Sequence, residues 1–266
     1  MNDAKIQGYR GTQSYYSFNQ LYYVNFLQEI GIIKGTEESE TRWVSGLSGI
    51  PLLHSFASIK YALTKTNKPF LLTMGYDSIT TIGDVKILKN KFNLPLGFTY
   101  EKYISSKDFK KLSQNQKGFT LYKAFVINDS IYKVSSDFKK FQIQDTTKNY
   151  TWQEYESDIT MLSKESLKIT EHGQNKIKGN IKVEKQKMLF FSIPFDKGWS
   201  AVVDGKESKL ITVDIGFMGL ILSKGAHNIE LNYLPPYYYE GFFISIVSLI
   251  IYFLLFFIKK KQTSAK

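Results

Sequence analysis

The chain has no cysteine, which excludes disulfides, zinc–thiolate sites and cysteine nucleophiles. Arginine is nearly absent, with Arg10 and Arg42 alone among 35 basic residues. Planar, bidentate readout of phosphates or base edges draws on arginine, so nucleic acid is not an expected partner. Histidine is scarce, and His54, His172 and His227 fall on separate segments without metal-ligand spacing. Phosphate loops, dinucleotide fingerprints, nucleophile elbows and zinc-protease helices are missing, so neither a cofactor nor a metal is expected. The opening residues, 1–18, hold no apolar stretch of the sort a secretory signal needs.

What the chain does have is one long apolar run. Residues 241–258 read GFFISIVSLIIYFLLFFI and carry no charge. Roughly 18 such residues are enough for a transmembrane helix, whose backbone closes its own hydrogen bonds in lipid. Tyr237, Tyr238 and Tyr239 precede the run, where phenols suit the headgroup layer. Lys259, Lys260, Lys261 and Lys266 follow it, while 226–240 has no lysine or arginine. Positive charge favours the cytoplasmic side. The expected topology therefore has a cytoplasmic tail and an extracytoplasmic body. An exported body with no signal of its own points to a chain that is the C-terminal portion of something longer.

The remaining composition is that of a globular body, 266 residues with net charge +11, 20 Phe and 18 Tyr. A diffuse positive field of this kind holds polyanions nearby, so the lipid bilayer and an anionic wall polymer are the expected partners.

Three textures follow one another before the span. In the first, 17–30 has helical spacing, with Ser17 as cap and Gly31 as stop, and 59–63 is strand-like. In the second, LLTMGY, VKILKN, FTLYKAFVI and SIYKVS read as short strands around a polar helix at 105–116. In the third, strands are expected at 167–171, 176–183, 188–193, 199–203, 208–211, 219–222 and 228–233. Turn signals recur between them, the strongest being Asp204-Gly205, whose residues accept the positive φ of a tight hairpin cheaply. The expected fold is an α+β N-terminal region (1–145), an antiparallel, jelly-roll-like β-sandwich (146–236), a transmembrane helix with its aromatic flank (237–258) and a basic tail (259–266).

Three aromatics are candidate sugar-stacking residues. Trp152 and Tyr155 lie beside Glu154, Glu156 and Asp158, a grouping that fits either glycoside chemistry or a solvated acidic face. Trp199 opens a strand after Gly198 and can either stack on a sugar ring or pack into the sandwich. Asn128-Asp129-Ser130 and Asn149-Tyr150-Thr151 match the N-glycosylation pattern, which is common by chance.

The passage PFDKGWSAVVDGK at 194–206, with its Gly198, Asp204 and Gly205 turns, is followed by FMGL at 217–220 and GAH at 225–227. Earlier come NLPLGF at 93–98 and SIKYAL at 58–63. In this order, the passages resemble the bacterial YfhO membrane-protein family. The resemblance implies a multi-pass half of the GT-C glycosyltransferase type, a lipid-linked sugar donor and a role in glycosylating teichoic or lipoteichoic acid in a Gram-positive envelope. The acidic catalytic residues it implies belong to that multi-pass half, so none is assigned here. The expectation is a non-catalytic extracytoplasmic portion whose partner is a multi-pass half encoded upstream. The alternatives are a membrane-anchored module that binds wall glycopolymer and a structural tail-anchored protein with a cytosolic body.

Overall fold

A computed structural model describes residues 6–15, 19–34, 41, 43–47, 49–128, 132, 135–146 and 149–264. In chain order the elements are β1 (Gln13–Tyr15), α1 (Leu21–Glu29), β2 (Trp43–Ser45), α2 (Pro51–Phe56), β3 (Tyr61–Thr64), α3 (Pro69–Thr73), β4 (Tyr76–Ile82), β5 (Val85–Asn90), β6 (Gly97–Tyr100), β7 (Lys102–Ser105), α4 (Ser106–Lys110), α5 (Gln114–Lys123), β8 (Phe125–Ile127) and β9 (Lys139–Lys140). There follow α6 (Trp152–Lys164), β10 (Lys168–His172), β11 (Lys176–Val183), β12 (Lys187–Pro194), β13 (Trp199–Val203), β14 (Lys206–Ser208), β15 (Ile211–Val213), β16 (Phe217–Leu222), β17 (Gly225–Tyr233) and α7 (Tyr238–Ser264).

Two sheets form a sandwich, one ordered β10-β11-β17-β13-β14 and the other β15-β16-β12-β6, with every pairing antiparallel. Side chains alternate across a strand, and β12 uses both of its faces. Leu189 and Phe191 enter the sandwich core with Ile177, Ile181, Leu220 and Leu231. Met188 and Phe190 point the other way, into a larger aromatic core with Phe26, Phe56, Phe98 and Phe217. The four-stranded sheet is thus a middle layer, covered by the other sheet on one side and by helices on the other. Strand β6 comes from the 1–145 stretch yet pairs Phe98 with Phe190 and Tyr100 with Met188, so that stretch contributes to the middle layer.

The α+β class, the antiparallel sandwich and the apolar C-terminal helix are all present, and the described residues form no closed barrel. Several local expectations need correction. LLTMGY is helix α3 followed by the first residue of β4, because Pro69 sets the first helical turn. FTLYKAFVI is the end of α5 followed by β8. The polar helix at 105–116 is two helices, since Ser113 starts a second with a reciprocal Ser113–Gln116 capping box. The strand at 208–211 divides, β14 pairing in one sheet and β15 in the other. The first helix begins at Leu21, where the Gln20 side chain accepts from Tyr23 N–H. Gly31 (φ 74°) follows its end. Ser17, most of SIYKVS, residues 129–130 of the first glycosylation pattern and the side chains of 259–266 lie outside the described residues.

Candidate functional site

Helix α6 was not expected, and it determines what Trp152 and Tyr155 do. Thr151 Oγ1 accepts from Glu154 N–H, and the Glu154 carboxylate accepts from Thr151 N–H at 2.9 Å. Tyr155, Ile159 and Leu162 then form a buried stripe at helical spacing. Tyr155 is 3% exposed and shares a 2.7 Å hydroxyl hydrogen bond with Ser55. Trp152 is 40% exposed, lies edge-on to Phe92 with centroids 5.2 Å apart, and donates its indole N–H to Glu156. Asp158 accepts from Tyr150 O–H at 2.7 Å and pairs with Lys123 at 2.7 Å. Each of the three carboxylates is therefore occupied by a cap, an indole or an ion pair. A cleft beside them, bordered by Phe119, Lys123, Tyr150 and Glu154, has only about 50 Å³, room for a few waters rather than a sugar.

The Asp204-Gly205 turn lies at the opposite end of β13 from Trp199. Both residues have positive φ, 52° and 80°, as a primed hairpin turn requires. Asp204 Oδ1 accepts from Asn228 N–H at 2.8 Å, and Oδ2 meets His227 Nδ1 at 2.7 Å. The Asn228 N–H, then His227, hold the Asp204 carboxyl below the usual carboxylate range.

The end of the sheet nearest α7 carries the most connected geometry. Asp196 Oδ1 accepts from Gly198 N–H at 2.7 Å, and Trp199 N–H donates to Asp196 O at 3.1 Å. Trp199 is paired with Tyr233, the last residue of β17, and their rings stand 5.1 Å apart. Burial and then the Asp196 carboxylate, with which it hydrogen-bonds, raise the Tyr233 phenol pKa. Leu234 N–H donates to Gly198 O at 2.9 Å. A Cβ on Gly198 would sit 2.4 Å from Leu234 O and 2.7 Å from Tyr233 Cε2, so close approach demands glycine there. Gln20 adds a hydrogen bond to Phe195 O. The structure therefore brings Gly198 and Trp199 together, and places Asp204 with Gly205 and Trp152 with Tyr155 elsewhere. Sequence reasoning reads Asp196-Lys197-Gly198 as a turn but missed its hydrogen-bonded link to Tyr233 and Leu234.

The candidate span, Tyr238–Ile258, has mean hydropathy 2.7 and buries none of its surface in the body. A model of the family described as bacterial membrane protein YfhO matches residues 1–152 and 123–245. The chain belongs to the YfhO family. It is also 33% identical over 73 residues to the Bacillus subtilis (strain 168) protein named Uncharacterized protein YfhO, a match that covers 27% of this chain and 8% of that protein. No solved structure matches. Membership makes this a protein of a bacterial membrane family with, among the described residues, one apolar helix of spanning length, and the YfhO match runs through the Asp196–Trp199 turn to within that helix. Among the described residues of this YfhO-family chain, no three His, Asp or Glu side chains converge as a metal site. A separate cleft of about 490 Å³ is mainly apolar, lined by Phe125, Ile127, Phe138, Met188 and Ile211, with Lys209 over the Tyr132 ring.

Proposed function

We propose that this chain is the extracytoplasmic, non-catalytic part of a YfhO-type membrane glycosyltransferase acting on teichoic or lipoteichoic acid. The observation that carries the reading is the junction. A folded body is fastened by main-chain hydrogen bonds to the strand that leads into an apolar helix. That arrangement supports a body whose work depends on its position at the membrane. The carboxylates beside Trp152 are engaged in folding, which supports a role without catalysis. The basic body would hold the anionic acceptor polymer beside a membrane-embedded active site, and the lysine-rich tail favours an outside body.

Because the chain has no cysteine, one introduced thiol reports topology cleanly. Lys206→Cys, on the exposed turn, should react with a membrane-impermeant maleimide in intact cells, and Thr263→Cys should not. Deleting the gene should remove sugar from purified teichoic acid, measured by NMR. A protected Lys206→Cys, or unchanged sugar content, would refute the reading. The net charge of +11 also favours a second reading, a binding module without a partner enzyme. That version predicts unchanged sugar content together with salt-sensitive retention of teichoic acid by the full chain in detergent.

A further inference from the structure

The junction fixes how near the sandwich can be to lipid. Tyr238 N–H donates to Pro235 O at 3.2 Å, closing a turn whose ends lie within about 7 Å. Leu234, one step of about 3.8 Å earlier, is held to Gly198. Pro235 and Pro236 stiffen this connection. The first phenylalanine of the apolar run, Phe242, is one helical turn beyond Tyr238, about 6 Å along the axis. Each headgroup layer is about 5–7 Å thick. The Trp199–Tyr233 end of the five-stranded sheet therefore has no slack by which to stand far from the bilayer.

The residues at this end suit that position. Trp199 packs against the sandwich core and is half-buried. Leu234, Tyr237, Tyr238 and Tyr239 are exposed at 43–78%. Indole and phenol rings favour the interface because one end is apolar and the other wet. Lys197 is exposed beside Trp199. Arg10 donates to His172 O and Gly173 O on the neighbouring β10–β11 turn. Lys176 stands 4.0 Å from Glu230. Against these stand Asp196, which is tied into its own turn, and Glu240. The charges nearly balance, so the aromatic rings rather than net charge define the surface.

We infer that this end of the sheet docks into the headgroup layer of the bilayer, with Trp199 and Tyr233 as interfacial anchors rather than sugar-stacking residues. Docking in this way fixes the tilt and height of the body over the membrane. It depends on α7 crossing a bilayer but not on the glycosyltransferase reading, which can fail independently.

The test uses the full chain reconstituted into phosphatidylcholine vesicles with 20% phosphatidylglycerol, a composition set by the experimenter. Replacing Trp43 and Trp152 by Phe leaves Trp199 as the only tryptophan. Its fluorescence should be quenched more strongly by lipids brominated near the headgroup than by lipids brominated near the chain ends, and weakly by iodide. Strong iodide quenching with no response to either brominated lipid would overturn the inference. A second variant, Lys197→Cys carrying a polarity-sensitive dye, leaves the buried residues untouched. Its emission should shift to the blue on transfer from detergent to vesicles in the same buffer only if the turn reaches the interface, and an unshifted spectrum would also overturn it.

Discussion

Leu234 N–H donates to Gly198 O at 2.9 Å, and the side chain that Gly198 lacks would overlap the Leu234 carbonyl. This one contact joins the last strand, the turn before β13 and the approach to the membrane helix. Its consequence can be separated from that of Gly205 at the far end of β13, because the two glycines are required for different reasons.

Gly198→Ala should destabilise the body by about 1–3 kcal/mol, the usual range for overpacking. The clash is with main chain and a ring that is itself hydrogen-bonded, so little can yield. Gly205 faces open space but has φ 80°, so Gly205→Ala should cost about 1–2 kcal/mol through strain in the left-handed region. Gly205→Asn should recover most of that loss, whereas Gly198→Asn should be worse than alanine. Denaturant unfolding of the solubilised chain, followed by circular dichroism, checks the contrast.

Asp214 gives a pH signature. Its carboxyl is fully buried between β15 and β16, and Oδ1 accepts from Val126 N–H at 2.6 Å while Oδ2 has no hydrogen-bond partner. Burial raises its pKa well above the ordinary carboxylate value, and the Val126 N–H opposes this. The folded state therefore holds a proton that the unfolded state releases above about pH 4. Stability falls as pH rises through that window and beyond, until the folded carboxyl ionises. Asp214→Asn keeps an acceptor for Val126 and cannot ionise. It should flatten the loss of unfolding free energy between pH 4 and 8, and an unchanged slope would count against a protonated Asp214.

Lys187 and Glu165 test a different kind of burial. Lys187 is paired with Glu165 and, at 3.0 Å, with Glu101, and Glu165 Oε1 accepts from Glu184 N–H. Truncating Lys187 to Ala leaves a nearly buried carboxylate without its cation, a change that typically costs about 3–5 kcal/mol. Replacing Lys187 by Met and Glu165 by Gln together should cost clearly less. A double-mutant cycle on unfolding free energy reads the coupling directly.

The sandwich was legible where side chains alternate plainly. In β11, Ile177, Ile181 and Val183 face inward while lysines and asparagine mostly face out, and the observed strand is the expected 176–183. Helix α6 was missed, because its stripe of Tyr155, Ile159 and Leu162 is interrupted by acidic residues that read as a surface. Strand β6 has all four residues buried and so shows no alternation, and its partner β12 is distant in sequence. The anchoring of Asp214 to Val126 and the closeness of Gly198 to Leu234 are tertiary facts with no local pattern. The membrane junction was half legible: the span stood out, but its fastening to the Asp196–Trp199 turn did not.

His227 offers the sharpest titration. Nδ1 lies 2.7 Å from Asp204 Oδ2 and Nε2 lies 2.9 Å from Ser223 O. A carboxylate and a carbonyl both accept, so both ring nitrogens must donate, and only the imidazolium has two N–H groups. Partial burial lowers the His227 pKa, but the hydrogen bonds to Asp204 and Ser223 outweigh it and leave the value raised. With the folded pKa above the unfolded one, the stabilisation is complete below the ordinary histidine value and is lost as pH rises through the folded value. This window lies above the one in which Asp214 begins to act, so the two can be told apart. NMR of the ring protons should give a titration midpoint above 6.5, and Asp204→Asn should lower it by removing the charged acceptor. His227→Gln should lessen the decline in thermal midpoint above neutrality while leaving unchanged the decline that Asp214 begins near pH 4. A midpoint unmoved by Asp204→Asn would mean that the pair does not hold the proton.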